Sequence, residues 1–187
     1  MKKARSIVAA CALIATLSGC AQQDSTKDAE QNDQDVSIET EQQTTEADED
    51  EALAEYVANT ELADTVNDAC DIVGQQITAL QNGKYDECSS LCNEAVEKCE
   101  EIIDYKDVPK GAEMAHQYLV ESAVSLRDAS MELSNASIDF GSEQSNRLLD
   151  EAIDDVNDFG DSLEKFNTAV ADISRQVLKA QDEQSGN

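Results

Sequence analysis

LDEAIDDVNDFGDSLEKFNTAVADISRQVLKA, residues 149–180, holds an apolar or small residue at Leu149, Ala152, Val156, Phe159, Leu163, Phe166, Val170, Ile173, Val177 and Ala180. The steps alternate between three and four without a slip. A turn of about 3.6 residues places all ten on one face and leaves Asp, Glu and Lys on the other, so the segment reads as an amphipathic helix. Gly160 lies inside the run, but the phase continues across it, which predicts one helix over 142–181 and not two. At 1.5 Å per residue that helix is about 60 Å long. Ser142, directly after Phe140-Gly141, is placed to cap its first turn.

Three further stripes precede it. Leu53, Tyr56, Thr60, Ala63, Val66, Cys70, Val73, Ile77 and Leu80 predict a helix over about 48–81, ended by Asn82-Gly83, whose residues accept left-handed dihedrals. Cys88, Leu91, Cys92, Ala95, Cys99, Ile102 and Ile103 predict a shorter one over about 87–105. Pro109, the only proline, suits the first turn of a third over 109–139, whose stripe is Ala115, Leu119, Ala123, Leu126, Ala129, Leu133 and Ala136. Its many Ser and Ala neighbours predict close packing. Four long amphipathic helices with short connections bury their stripes best in an all-α, elongated antiparallel four-helix bundle, with left-handed, coiled-coil-like packing. The short second helix leaves one end of the bundle with three helices, and the small-residue interfaces and shortage of aromatics predict a narrow, dry core and not a ligand cavity.

The N-terminal third is of a different kind. Residues 21–50 contain only two sizeable apolar side chains, Val36 and Ile38, and no aromatic. Such a stretch cannot bury enough apolar surface to offset its ordering entropy, so 20–47 reads as an acidic disordered tether and 48–187 as the bundle domain. Ahead of it, Lys2, Lys3 and Arg5 precede the apolar run Ile7–Leu17, which is too short to span a bilayer and has the form of a secretory signal. Leu17-Ser18-Gly19-Cys20 follows. Here the chain resembles the bacterial lipoprotein signal, whose lipobox is an aliphatic residue, a small residue, Gly or Ala, and Cys. All four positions match, and the resemblance covers residues 1–20 only. It implies removal of 1–19, a diacylglyceryl thioether and an N-acyl chain on Cys20, and a membrane partner reached through that anchor. Ala21, in place of the Asp of an inner-membrane retention signal, implies the outer membrane of a diderm cell or the outer face of a monoderm membrane.

The chain carries 41 acidic and 13 basic residues, a net charge of −28. Loss of 1–19 would remove three of the basic ones and leave about −31. So acidic a surface repels nucleic acid and anionic lipid headgroups, which need clustered Lys and Arg. It favours a cationic or proteinaceous partner, or acts as a solvated coat.

An address outside the cytoplasm makes disulfides the expectation for Cys70, Cys88, Cys92 and Cys99. On a straight helix Cys88 and Cys99 lie about 16 Å apart, and Cys92 and Cys99 about 10 Å. Both exceed the limit of roughly 7 Å between Cα atoms. Full oxidation within one chain then leaves only Cys70–Cys99 with Cys88–Cys92. A turn near residue 83 or 84 puts Cys70 and Cys99 nearly opposite each other. The second bond is less secure, because it needs Cys88 in an irregular first turn.

No cofactor or metal is expected. One helix cannot bring its three cysteines to one tetrahedral ion, and His116, the only histidine, lies beside the Ala115 position as a half-exposed residue. Asp154–Gly160 has the letters of a calcium loop, but puts Phe159 and Phe166 where ligands are required. Asp139-Phe140-Gly141 has no kinase loops around it, and no Ser or Cys nucleophile stands in a pattern with His116. The expectation is a lipid-anchored binding or structural module of the cell envelope, and not an enzyme. A thiol-redox protein using Cys88 and Cys92, or an acidic calcium-type cation binder, stands as the alternative.

Overall fold

The computed structural model describes residues 46–185. The signal segment, Cys20 and the tether up to residue 45 lie outside the described residues. Five helices follow one another, α1 (Glu46–Val57), α2 (Thr60–Gln81), α3 (Tyr85–Ile103), α4 (Glu113–Ile138) and α5 (Glu143–Ser185). The four long ones, α2 to α5, pack neighbour against neighbour as an all-α bundle. The most extensive pairing is α4 with α5, followed by α2 with α3 and α3 with α4, while α1 lies against α5.

The last helix is continuous through Gly160, and Ser142 Oγ caps it by accepting from Ser145 N at 3.0 Å. The expected helix over 48–81, by contrast, is two helices. Asn59 is a better helix start than a helix interior residue: its side-chain oxygen accepts from Leu62 N at 3.1 Å, and Glu61 complements the positive end of the new dipole. The cap therefore wins over the continuity of the apolar phase. Pro109 is also displaced from its expected place in a helix. It lies in the connection before α4, its carbonyl accepting from Ala112 N at 3.0 Å. Gly111, at φ 96°, interrupts right-handed dihedrals, so α4 starts only at Glu113.

At the end of α2, Lys84 N bonds Ala79 O at 2.9 Å and Gly83 N bonds Leu80 O at 3.1 Å, with Gly83 at φ 71°. That is the Schellman pattern, and it reverses the chain within three residues into α3. Gly141, at φ 95°, turns α4 into α5 at the same end of the bundle, where the Tyr85 and Phe140 rings stack with centroids 5.0 Å apart.

All seven α4 stripe positions, Ala115, Leu119, Ala123, Leu126, Ala129, Leu133 and Ala136, are buried. Alternating Ala with Leu lets the neighbouring helices approach closely while the leucines fill the gaps. Ser122, Ser130 and Ser137 are buried beside them, each hydroxyl satisfied at 2.6–2.7 Å, Ser130 by Gln76 Oε1 and the other two by carbonyls of the preceding turn. Ser145 Oγ reaches across to Ala136 O at 3.0 Å and sets the antiparallel register of α4 and α5. On that register the start of α4 lies opposite about residue 168, so the last five turns of α5 outrun it. The α1 helix packs on α5, and Ile173 and Val177 are buried in spite of α4 having ended. None of the helices among the described residues is long and apolar enough to cross a membrane.

Candidate functional site

The break between α1 and α2 has a consequence beyond the backbone. It brings Tyr56, at the end of α1, against Tyr105 from the α3–α4 connection and His116 from α4. The two phenol rings are 6.5 Å apart at 56°, and the His116 ring is 6.1 Å from Tyr56 and 5.6 Å from Tyr105. Tyr56 Oη and His116 Nδ1 are 3.1 Å apart, and Asn59 Nδ2 donates to Tyr105 Oη at 3.2 Å. Burial, and then the neighbouring Tyr105, raise the Tyr56 phenol far above its usual range, so it stays protonated and donates. Burial first, and Lys106 second, lower His116, opposed by a backbone hydrogen bond with Tyr105, so the imidazole is neutral at neutral pH and accepts. His116 is thus buried and bonded, where the sequence predicts a half-exposed side chain.

Beside these rings an open groove of about 550 Å³ is lined by Ala52, Glu55, Tyr56, Asn59, Tyr105, Lys106, Asp107, Val108 and Pro109. Its lip is tied by Lys110 Nζ to Glu49 at 2.9 Å, joining α1 to the α3–α4 connection. The stripes do not reveal this convergence. Its available signal is the Asn59-Thr60-Glu61 start motif, which detaches Tyr56 from α2 and frees it to face residues about 50 and 60 positions away.

The cysteines lie elsewhere. Cys70, Cys88 and Cys99 are buried and Cys92 is half-buried, with no disulfide among them. The expected Cys70–Cys99 and Cys88–Cys92 bonds are therefore absent from this structure. One hydrogen bond spans the α2–α3 pair near these cysteines: Gln76 Nε2 donates to the Cys88 carbonyl at 3.1 Å. An antiparallel pairing centred on that bond puts Cys70 opposite about residue 94 or 95, and Cys99 about 6–8 Å of rise, a turn or slightly more, further along. Nor is the first turn of α3 irregular, since Cys88 N bonds Lys84 O at 3.1 Å and the helix begins at Tyr85, not 87. Side chains four apart on such a helix do not meet at S–S distance.

Burial, and then Cys92, push the Cys88 thiol up to about 11; burial pushes Cys99 up to about 12 although Arg127 pulls the other way. Cys88 Sγ is 3.6 Å from the Leu133 carbonyl. These surroundings disfavour the thiolate that redox exchange requires. Among the described residues no group of three or more His, Cys, Asp and Glu is arranged to hold a metal ion.

One more titratable cluster lies between α4 and α5. Burial, followed by Asp155 and Glu151, raises the Glu132 carboxyl to about 7, and its Oε2 is buried without a hydrogen-bond partner. A carboxyl whose pKa is raised on folding binds its proton more tightly in the folded state. Its contribution is complete below about pH 4.5 and is lost as pH rises through 7. Because both side chains are partly in contact with water, about 1–2 kcal/mol is expected over that window. Urea midpoints of the wild type should fall between pH 4.5 and 8, and Glu132→Gln should flatten that part of the profile. An unchanged slope in the variant refutes the assignment.

No family model, no curated protein and no solved structure matches the chain.

Proposed function

We propose that this protein is a lipoprotein of the cell envelope, held on the extracytoplasmic face of a membrane through Cys20, whose acidic bundle is a binding or structural module for a cationic or proteinaceous partner. The observation that carries the anchor is Leu17-Ser18-Gly19-Cys20 at the end of the apolar run Ile7–Leu17, behind Lys2, Lys3 and Arg5. Each buried methylene of an acyl chain is worth about 0.8 kcal/mol, so two or three chains hold the protein on the bilayer with no transmembrane helix. A net charge of −28 supports a cationic partner and opposes nucleic acid. The module half of the reading is supported by an accessible groove at the α1–α2 break. A Cys70–Cys99 staple belongs to the same reading, and would require α2 to slide about one turn along α3.

Mass spectrometry of the protein from an envelope fraction tests the anchor. The expected N-terminus is Cys20 carrying a diacylglyceryl group and an N-acyl chain; an unmodified N-terminus at another residue overturns it. Crosslinking on intact cells then identifies what the bundle touches.

A further inference from the structure

We propose that the groove under Tyr56 and Tyr105 is a binding site for an organic cation with an alkylammonium head of the trimethylammonium type. The proposal deepens the binding-module reading and rests on it only for the sign of the partner's charge.

A trimethylammonium group has no N–H to donate. It is recognised by aromatic faces, whose quadrupole is negative, by apolar contact with its methyls, and by carboxylates at longer range. The groove supplies all three. The partly buried Tyr105 supplies the aromatic face, backed by Tyr56, of which only 6% is exposed, at 56° with centroids 6.5 Å apart. Ala52, Val108 and Pro109 supply apolar contact, and Glu55 and Asp107 the negative charge. Its volume, about 550 Å³, falls inside the range of about 300–1,000 Å³ common to small-ligand sites.

The site is also built in advance. His116 holds the Tyr56 hydroxyl and Asn59 holds that of Tyr105, so little ordering is left for the ligand to impose. The chain has four tyrosines, three phenylalanines and no tryptophan. Two of those tyrosines and the only histidine meet here from three separate elements. Elsewhere the chain fills such a place itself: Lys165 Nζ sits 5.9 Å from the centre of the Tyr118 ring, over its face.

Lys106 is the one lining residue that opposes a cation, and it makes the proposal sharp. Its ammonium is 3.7 Å from Asp104, both side chains being well exposed. Removing that charge should strengthen a cation and weaken an anion at the same site.

The test is titration of the full chain with tetramethylammonium chloride at constant ionic strength, sodium chloride serving as the reference, read by amide NMR and calorimetry. Saturable shifts centred on Tyr56, Asn59 and Tyr105 are expected. Tyr105→Ala should weaken binding at least about fivefold, in line with a cation–π contribution of about 1–2 kcal/mol, while Tyr105→Phe, which keeps the ring, stays within about threefold. Lys106→Gln should tighten binding about threefold. Choline and a trimethyl-lysine peptide as further probes distinguish a small-molecule source from a protein side chain, and saturable binding of either supports the site. The proposal is overturned if no saturable shift appears by about 50 mM, if Tyr105→Phe loses binding as fully as Tyr105→Ala, or if Lys106→Gln weakens it. A failed titration leaves the N-terminal mass of Cys20 untouched, so the two readings fail separately.

Discussion

Phe159→Ala is expected to lower the unfolding free energy by about 4 kcal/mol, within the 3–5 kcal/mol found for large buried aromatics. Phe159 is 1% exposed and is the bulkiest fully buried side chain described. The other two phenylalanines offer no substitute, since Phe166 is only partly buried and Phe140 is exposed. On its own helix the flanking stripe positions Val156 and Leu163 are buried, and the α4 stripe alternates Ala with Leu. Rigid helices packed through small residues collapse poorly into a vacancy, so the full cavity cost should be felt. Alanine's better helix propensity returns only about 0.5 kcal/mol. A domain of this size has a stability of about 5–15 kcal/mol, so the variant should remain folded but marginal. Urea unfolding followed by helical circular dichroism measures it, with Phe159→Leu expected to lose about 1–1.5 kcal/mol. A loss below about 1 kcal/mol for Phe159→Ala would mean that α5 does not turn this residue into the core.

The placement of Phe159 was legible because one long stripe leaves a single face to bury. The same is true of the α4 stripe, every member of which is buried. What periodicity does not report is a competition between local signals at one position. Asn59, three residues after Tyr56, lies at the edge of the apolar stripe, yet its capping bond divides the expected first helix, and Gly111 delays α4 past Pro109. The candidate site follows from that division, because Tyr56, Tyr105 and His116 meet only once α1 can lean away from α2. Their sequence separations carry no periodic mark, so long-range contacts alone disclose them. The cysteine pairing depends on a finer placement than periodicity gives. Hairpin length places Cys70 and Cys99 to within a turn, whereas a disulfide needs them placed to within an ångström or two.

That last turn of register is set by a residue that a polarity scan assigns to the surface. Gln76 is 0% exposed, and its one amide touches two other helices: Nε2 donates to Cys88 O at 3.1 Å and Ser130 O at 3.3 Å, while Oε1 accepts from Ser130 Oγ at 2.7 Å. It therefore pins α2 to both α3 and α4. Gln76→Ala is expected to cost about 3 kcal/mol, through the space left behind and the loss of these bonds in a site closed to water. Gln76→Met keeps the volume but takes the partner from Ser130, and Ser130→Ala strands Oε1; each should cost about 1–3 kcal/mol. The double variant Gln76→Met/Ser130→Ala removes both polar groups together, so its loss should fall short of the sum by at least about 1 kcal/mol. Strict additivity in chemical denaturation would show that the two side chains do not share a bond. The double variant should also relax the register. With no amide to satisfy, α2 can slide the turn that separates Cys70 from the level of Cys99, and mild oxidation should crosslink that pair faster than in the wild type. Equal crosslinking rates in the two proteins would place the control of register elsewhere than in Gln76.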